Sequence, residues 1–315
     1  ASNPYITILG PIESGAKRIS IMGISNKAAG MLGSLIFGAL LLSGIEEKNE
    51  KINALTTSAQ EKEALLSEMA GSVVMPYLIM AIALVVLGIF VSKAPLPDLE
   101  MDEEETVDKD GKAKTSIFQF PHLILGVVAL FLYVGVEVVA GDTIIGYAIA
   151  LGIDGAAGYT SYTLGAMVLM YLLGALLIPK YMSQKTALVI SGVLGVILSF
   201  VIVFGNAQVS ILSVAALGIA NALVWPAIWP LALSGLGKFT KTASALLIMA
   251  IAGGAVITPL RGVLVDVKRD GLVEEGIELA AATAEASTFG YWVLLPCYIF
   301  ILYYALSGHK AGIKE

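Results

Sequence analysis

Long apolar runs dominate the chain, and charged residues are confined to the segments between them. A partial apolar run occupies residues 1–11. Eight full runs follow it, at residues 19–45, 72–92, 121–151, 159–179, 186–206, 209–235, 242–265 and 288–307. At about 1.5 Å per residue, each full run is long enough to cross a hydrocarbon core of about 30 Å. These runs are apolar on every side of a helix, which is typical of membrane spans rather than of soluble helices. The pattern therefore predicts an all-α, multi-pass membrane protein.

The longest polar stretch, residues 93–118, separates the runs into two groups and predicts a flexible linker. We expect 1–92 to be the C-terminal part of an N-terminal six-helix bundle (helices 4–6), 93–120 to be a cytoplasmic linker, and 121–315 to be a C-terminal six-helix bundle (helices 7–12). Because the chain begins at Ala1 inside a helical pattern, we expect it to be truncated at its N-terminus.

A weak internal repeat favours the two-bundle organisation. Asn3-Pro4 and Trp225-Pro226 each precede a turn with glycine and basic residues, and then a helix with small residues. Parallel repeats of six-helix halves occur in one class of secondary transporters. Chance similarity in the placement of glycine and proline is the alternative explanation.

Basic residues indicate the orientation of the chain in its membrane. If the runs alternate in direction, twelve lysines and arginines fall on one side and five on the other. The richer side is normally cytoplasmic. We therefore expect a bacterial inner-membrane (plasma-membrane) protein whose linker and C-terminus are cytoplasmic. The acidic segments 46–71 and 266–287 then form loops on the outer side.

Composition excludes several classes of function. Of 315 residues, 57% are hydrophobic and 14% are charged, whereas a soluble domain carries about 25% charged residues. One cysteine, Cys297, and two histidines, His122 and His309, are too few for a disulfide framework or a dedicated zinc site. Neither a hydrolase elbow nor a P-loop occurs. We expect no enzyme activity, cofactor, bound metal or nucleic-acid partner.

Asn26 and Lys27 lie about 12 Å into the run that begins at Ile19. Polar groups at this depth are costly in lipid and indicate a functional site. Lys27 either extends along the helix to the cytoplasmic surface or faces a polar cavity and pairs with a carboxylate. Asn26 is too short to reach the surface. With Gly23 and Gly30 on its face, it indicates either a solvated pathway or close packing against another helix.

Glu137 lies about 24 Å along the run that begins at Pro121. Gly135 and Gly141 beside it predict a bent or unwound helix that lines a cavity. We interpret Glu137 as a substrate or proton ligand, and a structural ion pair is the alternative. Asp142, nearer the outer edge, is a second coupling or gating candidate unless it is simply solvated.

Asn221, Trp225 and Trp229 share one helix face, because they are spaced four residues apart. Pro226 and Pro230 disturb the same helix and free backbone carbonyls. An indole ring against the C–H face of a pyranose, with an amide for the hydroxyls, predicts a sugar site. The alternative is that the tryptophans only fill the core.

Arg261 follows Pro259 in the run 242–265, and Asp266 lies five residues further on. An arginine at that depth needs a charge pair or a carbonyl contact. We expect a structural or gating role for Arg261 rather than substrate binding.

Several segments resemble the fucose–galactose–glucose:proton symporter family of the major facilitator superfamily. They are NPYITILGP, SGAKRISIMGISNKAAG, FLYVGVEVVAGDTIIGY, GALLIPKYMSQKTAL, NALVWPAIWPLALSGLGKFTK and SALLIMAIAGGAVITPL. The resemblance covers the chain from the fourth helix of that fold to the twelfth. It implies two six-helix bundles, a central sugar site and proton-coupled uptake.

By this resemblance, Asn26 is a sugar-binding amide of the fifth helix and Trp225 an aromatic sugar contact of the tenth. Gly23 and Glu137 each replace a glutamine of the fucose branch. The pair Asn26-Lys27 favours the glucose/galactose and N-acetylglucosamine branch. The coupling carboxylates of the family lie in its first helix and just before the Asn-Pro of its fourth, upstream of Ala1.

We therefore expect proton-coupled uptake of a hexose or N-acetylhexosamine by a monomer in the lipid bilayer. The expected substrate site comprises Asn26, Lys27, Glu137, Asn221, Trp225 and Trp229. The expected coupling or gating residues are Glu137, Asp142 and Arg261. A transporter of another polar solute, with sodium or no coupling, is the nearer alternative, and an intramembrane enzyme or sensor is the more distant one.

Overall fold

The computed structural model describes Ile6 and residues 10–42, 58–72, 74–94 and 114–313. Within them, helices and short turns account for the whole backbone, without a strand. The α-helices are α1 Gly15–Leu42, α2 Ala59–Ser72, α3 Val74–Lys93, α4 Pro121–Asp142, α5 Ile144–Ala150, α6 Tyr159–Leu177, α7 Gln184–Phe204, α8 Ala207–Ala222, α9 Val224–Leu233, α10 Thr240–Met249, α11 Gly253–Glu274, α12 Leu279–Phe289 and α13 Leu294–Leu306.

Seven helical segments in the described part of the chain are long and apolar enough to cross a membrane. They are Val74–Lys93, Pro121–Asp142, Tyr159–Leu177, Gln184–Phe204, Ala207–Leu233, Gly237–Glu274 and Leu279–Leu306. Each overlaps one of the predicted runs, and the remaining full run, 19–45, begins inside α1. The predicted all-α, multi-pass membrane class is confirmed.

The chain divides into two compact units, Ala1–Lys27 with Leu99–Glu315 and Ala28–Asp98. In the smaller unit, α2 is polar, whereas α3 is apolar on all sides, which is typical of a membrane span. Most of the predicted linker 93–120 and the Asn3-Pro4 half of the repeat lie outside the described residues, so the predicted division into two bundles stays a prediction.

In the larger unit, polar contacts join several helix termini at one end of the bundle. The backbone N–H of Ala16 donates to Oε1 of Gln184 at 2.8 Å, which fixes the start of α1 against the start of α7. The N–H of His122 donates to the carbonyl of Ala311 at 3.1 Å, and its Nε2 lies 3.0 Å from the carbonyl of Ser234. This end gathers the segments that the alternation of spans predicts on one side of the membrane.

A second polar cluster joins the helices at the opposite end. The hydroxyls of Thr143 and Tyr291 lie 2.9 Å apart. The Tyr147 hydroxyl bonds to Ser210 and lies 3.0 Å from the hydroxyl of Thr288. Such interhelical hydrogen bonds hold spans together where lipid supplies no partner for a hydroxyl.

Two predicted spans are interrupted in the structure. The run 121–151 breaks at Thr143, between α4 and α5, and the helix does not unwind near Glu137. The run 209–235 breaks at Leu223, so Pro226 lies in the first turn of α9. A proline is tolerated there because the first amides of a helix have no intrahelical acceptor.

The segment 266–287, predicted as a loop, is mostly helical, and its side of the membrane stays a prediction. Helix α11 continues to Glu274, and α12 begins at Leu279. Hydrophobicity marks the part of a helix that lies in lipid, whereas a charged helix can extend beyond it. Arg269 supports this extension through ion pairs with Asp266 at 3.0 Å and with Asp270 at 2.9 Å.

Helices α4 and α11 pack closely through small residues. Gly253 faces the backbone carbonyl of Phe131, and Gly254 faces Val138. A Cβ at Gly253 would overlap the Phe131 carbonyl, which is backbone and cannot move aside. Glycines of this kind bring two membrane helices into backbone contact.

We predict that Gly253→Ala destabilises the protein by about 1–3 kcal/mol, because the added methyl overpacks this contact. The control is Gly262→Ala in the same helix, where an added Cβ meets open space and improves helix propensity. Thermal unfolding in detergent should show a lower midpoint for Gly253→Ala only. Equal midpoints for the two variants would contradict the packing.

Candidate functional site

A cavity of about 300 Å³ lies in the larger unit, between α1, α4, α6 and α9. Its lining residues are Ile19, Met22, Gly23, Asn26, Lys27, Tyr133, Val134, Glu137, Tyr171, Trp225 and Ile251. The wall combines apolar and aromatic side chains with a few convergent polar groups, as small-molecule sites do.

An interhelical ion pair is the central polar feature of this cavity. The Lys27 Nζ, from α1, donates to Oε1 of Glu137, from α4, at 2.5 Å. Their side chains are 22% and 19% exposed. The Lys27 ammonium therefore does not extend to the membrane surface in this structure, and of the two predicted alternatives it adopts the carboxylate pair.

Aromatic rings form much of the remaining wall. The Trp225 and Tyr133 ring centroids lie 6.3 Å apart, and Trp225 is partly buried. A Cβ at Gly23 would come within 2.8 Å of the Tyr171 ring. Tyr171 therefore occupies the space that a side chain at position 23 would need, which gives a physical role to the glycine found there.

Tyr133 and Tyr171 are site residues that the sequence analysis missed. Tyr133 precedes Glu137 by one helical turn, so its place on the same face could have been read from spacing. Its hydroxyl is buried beside Glu137 without a hydrogen bond of ordinary geometry. No comparable signal marks Tyr171, whose place in the wall depends on the packing of α6 against α1.

Asn26, predicted as a sugar ligand, lines the cavity and is exposed. With Lys27, Glu137 and Trp225 it makes four predicted substrate residues that the structure brings together. They come from three helices, α1, α4 and α9. Residues that are distant in the sequence therefore lie together on one cavity.

Asn221 and Trp229, also predicted as substrate residues, do not line this cavity. Asn221 is buried, and its Oδ1 accepts a hydrogen bond from the Tyr298 hydroxyl at 2.7 Å. Trp229 is fully buried and packs on Trp225 with ring centroids 5.7 Å apart. The break at Leu223 places Asn221 in α8, apart from the two tryptophans of α9. Of the three residues only Trp225 lines the cavity, and Trp229 packs behind it.

The two remaining coupling candidates lie away from the cavity. Asp142 is exposed at the end of α4. Arg261 donates to the carbonyl of Ser287 at 3.0 Å and stacks over the Tyr291 ring at 4.2 Å. The predicted carbonyl contact is therefore present, whereas Asp266 pairs with Arg269 and not with Arg261.

Metal-ligand clusters are absent from the described residues: no three His, Cys, Asp or Glu side chains there could hold an ion together. The two charged residues of the described cavity wall, Lys27 and Glu137, form an ion pair with each other. This arrangement can bind a polar solute or a proton, and it resembles no hydrolytic centre.

Comparison with known proteins identifies the family. No protein-family model matches the chain. A glucose/galactose transporter of Brucella abortus is 31% identical over 316 residues, which are 99% of this chain and 68% of that protein. The chain belongs to the fucose–galactose–glucose:proton symporter family. The L-fucose-proton symporter of Escherichia coli is 26% identical over 274 residues, 84% of this chain and 62% of that protein.

The fold of this symporter family agrees with the structure. The crystal structure of the Escherichia coli fucose:proton symporter superposes with a TM-score of 0.70 at 22% identity, covering 96% of this chain and 72% of that chain. A related crystal structure, described as a major facilitator superfamily transporter, gives a TM-score of 0.71. The predicted superfamily fold and the transporter rather than enzyme class are both confirmed.

We predict that Tyr298→Phe destabilises the protein by about 1–3 kcal/mol. The substitution removes the donor to Asn221, whose Nδ2 already lacks a partner, and so leaves a buried amide wholly unpaired. Tyr303→Phe, at an exposed position of the same helix, is the control. Thermal unfolding in detergent measures both, and a stability loss no larger than that of the control would show that the buried packing of α8 against α13 does not depend on this bond.

Proposed function

We propose that the protein takes up a neutral hexose or N-acetylhexosamine together with a proton, by alternating access. The observation that carries the proposal is the convergence of Asn26, Trp225 and the Lys27–Glu137 pair on one cavity of a sugar-transporter fold. Membership of the family supports a sugar substrate and proton coupling, and the cavity supplies the residues through which this chain would achieve them.

The cavity wall suits a pyranose. Trp225, partly buried in the cavity wall, offers an apolar indole face for the C–H groups of the ring. The Asn26 amide offers both a donor and an acceptor for hydroxyls. Tyr133 adds a buried hydroxyl beside Glu137, without a hydrogen bond of ordinary geometry. A flat apolar surface opposite several neutral polar groups matches the two chemical faces of a sugar.

The ion pair suits proton coupling. Protonation of Glu137 would remove its charge and leave the Lys27 ammonium without its counter-ion, which is costly in a site shielded from water. The conformation that places the two residues together would then lose stability relative to the alternative one. A proton can shift the equilibrium between conformations only through such a difference.

We also propose that the protein is a monomer in the plasma membrane. We place the linker and the C-terminus in the cytoplasm, since the excess of basic residues lies on that side. In the proposed two-bundle organisation, Lys27 belongs to the N-terminal bundle and Glu137 to the C-terminal one. The pair would then bridge the halves that rock against each other, and a plasma-membrane monomer would suffice for transport.

Substitution of the cavity wall should weaken sugar binding. We expect Trp225→Ala and Asn26→Ala each to raise the Kd for glucose or N-acetylglucosamine at least about tenfold, or about 1.4 kcal/mol. Calorimetric titration of purified protein measures this change. The matched control is Trp292→Ala, since that ring packs on Phe200 and Phe204 and does not line the cavity. Unchanged affinity in both cavity variants would remove Trp225 and Asn26 from the site.

Uptake by proteoliposomes tests the coupling. An inwardly directed proton gradient should accelerate entry of labelled sugar several-fold, and a protonophore should abolish the acceleration. Glu137→Gln cannot exchange a proton at this position, so it should lose the response to the gradient. Uptake that follows a sodium gradient, or that ignores both gradients, would contradict proton coupling and favour one of the alternative transport modes.

A further inference from the structure

We propose that the Lys27–Glu137 pair acts as a charge filter that admits uncharged sugars and rejects both sugar carboxylates and protonated amino sugars. This inference rests on the proposed function, because it concerns which sugars the same cavity accepts. It assigns to the pair a role in substrate selection that is separate from proton coupling.

The charges of the cavity wall balance. Among the described lining residues, Lys27 and Glu137 alone carry charge at neutral pH, and they bind each other at 2.5 Å. The next charged residues along their helices, Arg18 in α1 and Asp142 in α4, do not line the cavity. Arg18 is engaged by the carbonyl of Ile6. A ligand in the cavity therefore meets one positive and one negative group, already paired.

A charged ligand would have to disturb this balance. A sugar carboxylate that approaches Lys27 also approaches Glu137, and it must either remain beside a like charge or displace it. A protonated amine that approaches Glu137 is likewise repelled by the ammonium of Lys27. Because both side chains are only about one-fifth exposed, water screens these repulsions weakly. Displacing one partner would leave a buried charge uncompensated.

An uncharged sugar faces no such penalty. Its hydroxyls can donate to Glu137 or accept from Lys27 while the pair stays intact, since each ionised group retains unused hydrogen-bonding positions. Asn26, Tyr133 and Trp225 provide further contacts without charge. The filter thus arises from two opposite charges that neutralise each other, and removal of either one should convert the cavity into a site with a net charge.

Single neutralisations should therefore change selectivity in opposite directions. Glu137→Gln leaves Lys27 unpaired and should raise the affinity for glucuronate, relative to glucose, at least about tenfold. Lys27→Met leaves Glu137 unpaired and should raise the relative affinity for glucosamine by a similar factor. Calorimetric titrations at pH about 6, where the carboxylate is ionised and the amine protonated, measure both ratios on purified protein.

Charge reversal and remote neutralisation are the controls. The double variant Lys27→Glu with Glu137→Lys keeps one charge of each sign, and it should again disfavour both charged sugars. Asp154→Asn in the loop after α5 and Lys17→Gln near the start of α1, both exposed, change the net charge outside the cavity and should leave the ratios unaltered.

The outcomes separate this inference from the proposed function. If wild-type protein binds glucuronate or glucosamine as well as glucose, the filter is contradicted while sugar binding stands, and this result does not require any variant to fold. Equal shifts toward both charged sugars in each folded single variant would also contradict it. If wild-type protein binds no neutral sugar, the proposed function is overturned, and the filter with it.

Discussion

A charge placed within a low-dielectric membrane protein must find a partner, and this constraint organises the structure. Lys27 and Glu137 meet it by pairing across α1 and α4. Arg261 meets it differently, with a backbone carbonyl of α12 and the face of Tyr291. The Lys27–Glu137 pair lies in a cavity, whereas Arg261 lies in a packed helix interface. Burial of charge therefore accompanies a candidate binding site in one place and a structural contact in the other.

The scaffold holds the ion pair through contacts that are themselves apolar. Small residues let α11 approach the backbone of α4, the helix that carries Glu137 and Tyr133. Trp229 packs behind Trp225, with ring centroids 5.7 Å apart. Close packing of this kind restricts the positions that side chains of the wall can adopt, and a restricted wall lowers the entropic cost of binding.

Much of the fold could be predicted from the sequence, because apolar runs report directly on the length of membrane spans. Their ends were less predictable. The end of α11 lies in a charged extension of the apolar run. The breaks at Thr143 and Leu223 lie near the glycines and prolines that predicted an irregular helix, but not at those residues. Hydrophobicity describes what lipid requires, whereas helix ends depend on local hydrogen bonds.

The site was predictable in part for a similar reason. Lys27 and Glu137 could be identified because an unpaired charge within an apolar run has a high free-energy cost. Nothing in the sequence required them to pair with each other. Tyr171 carries no such cost and was missed. The spacing of Asn221, Trp225 and Trp229 predicted one helix face, but the helix breaks at Leu223, and packing leaves only Trp225 at the cavity.

An experimental structure with a bound hexose tests the central claim most directly. The account predicts a pyranose ring against the Trp225 indole, with its hydroxyls within hydrogen-bonding distance of Asn26 and of the joined Lys27 and Glu137 side chains. A sugar bound elsewhere in the fold, or Lys27 and Glu137 turned apart toward lipid, would contradict it.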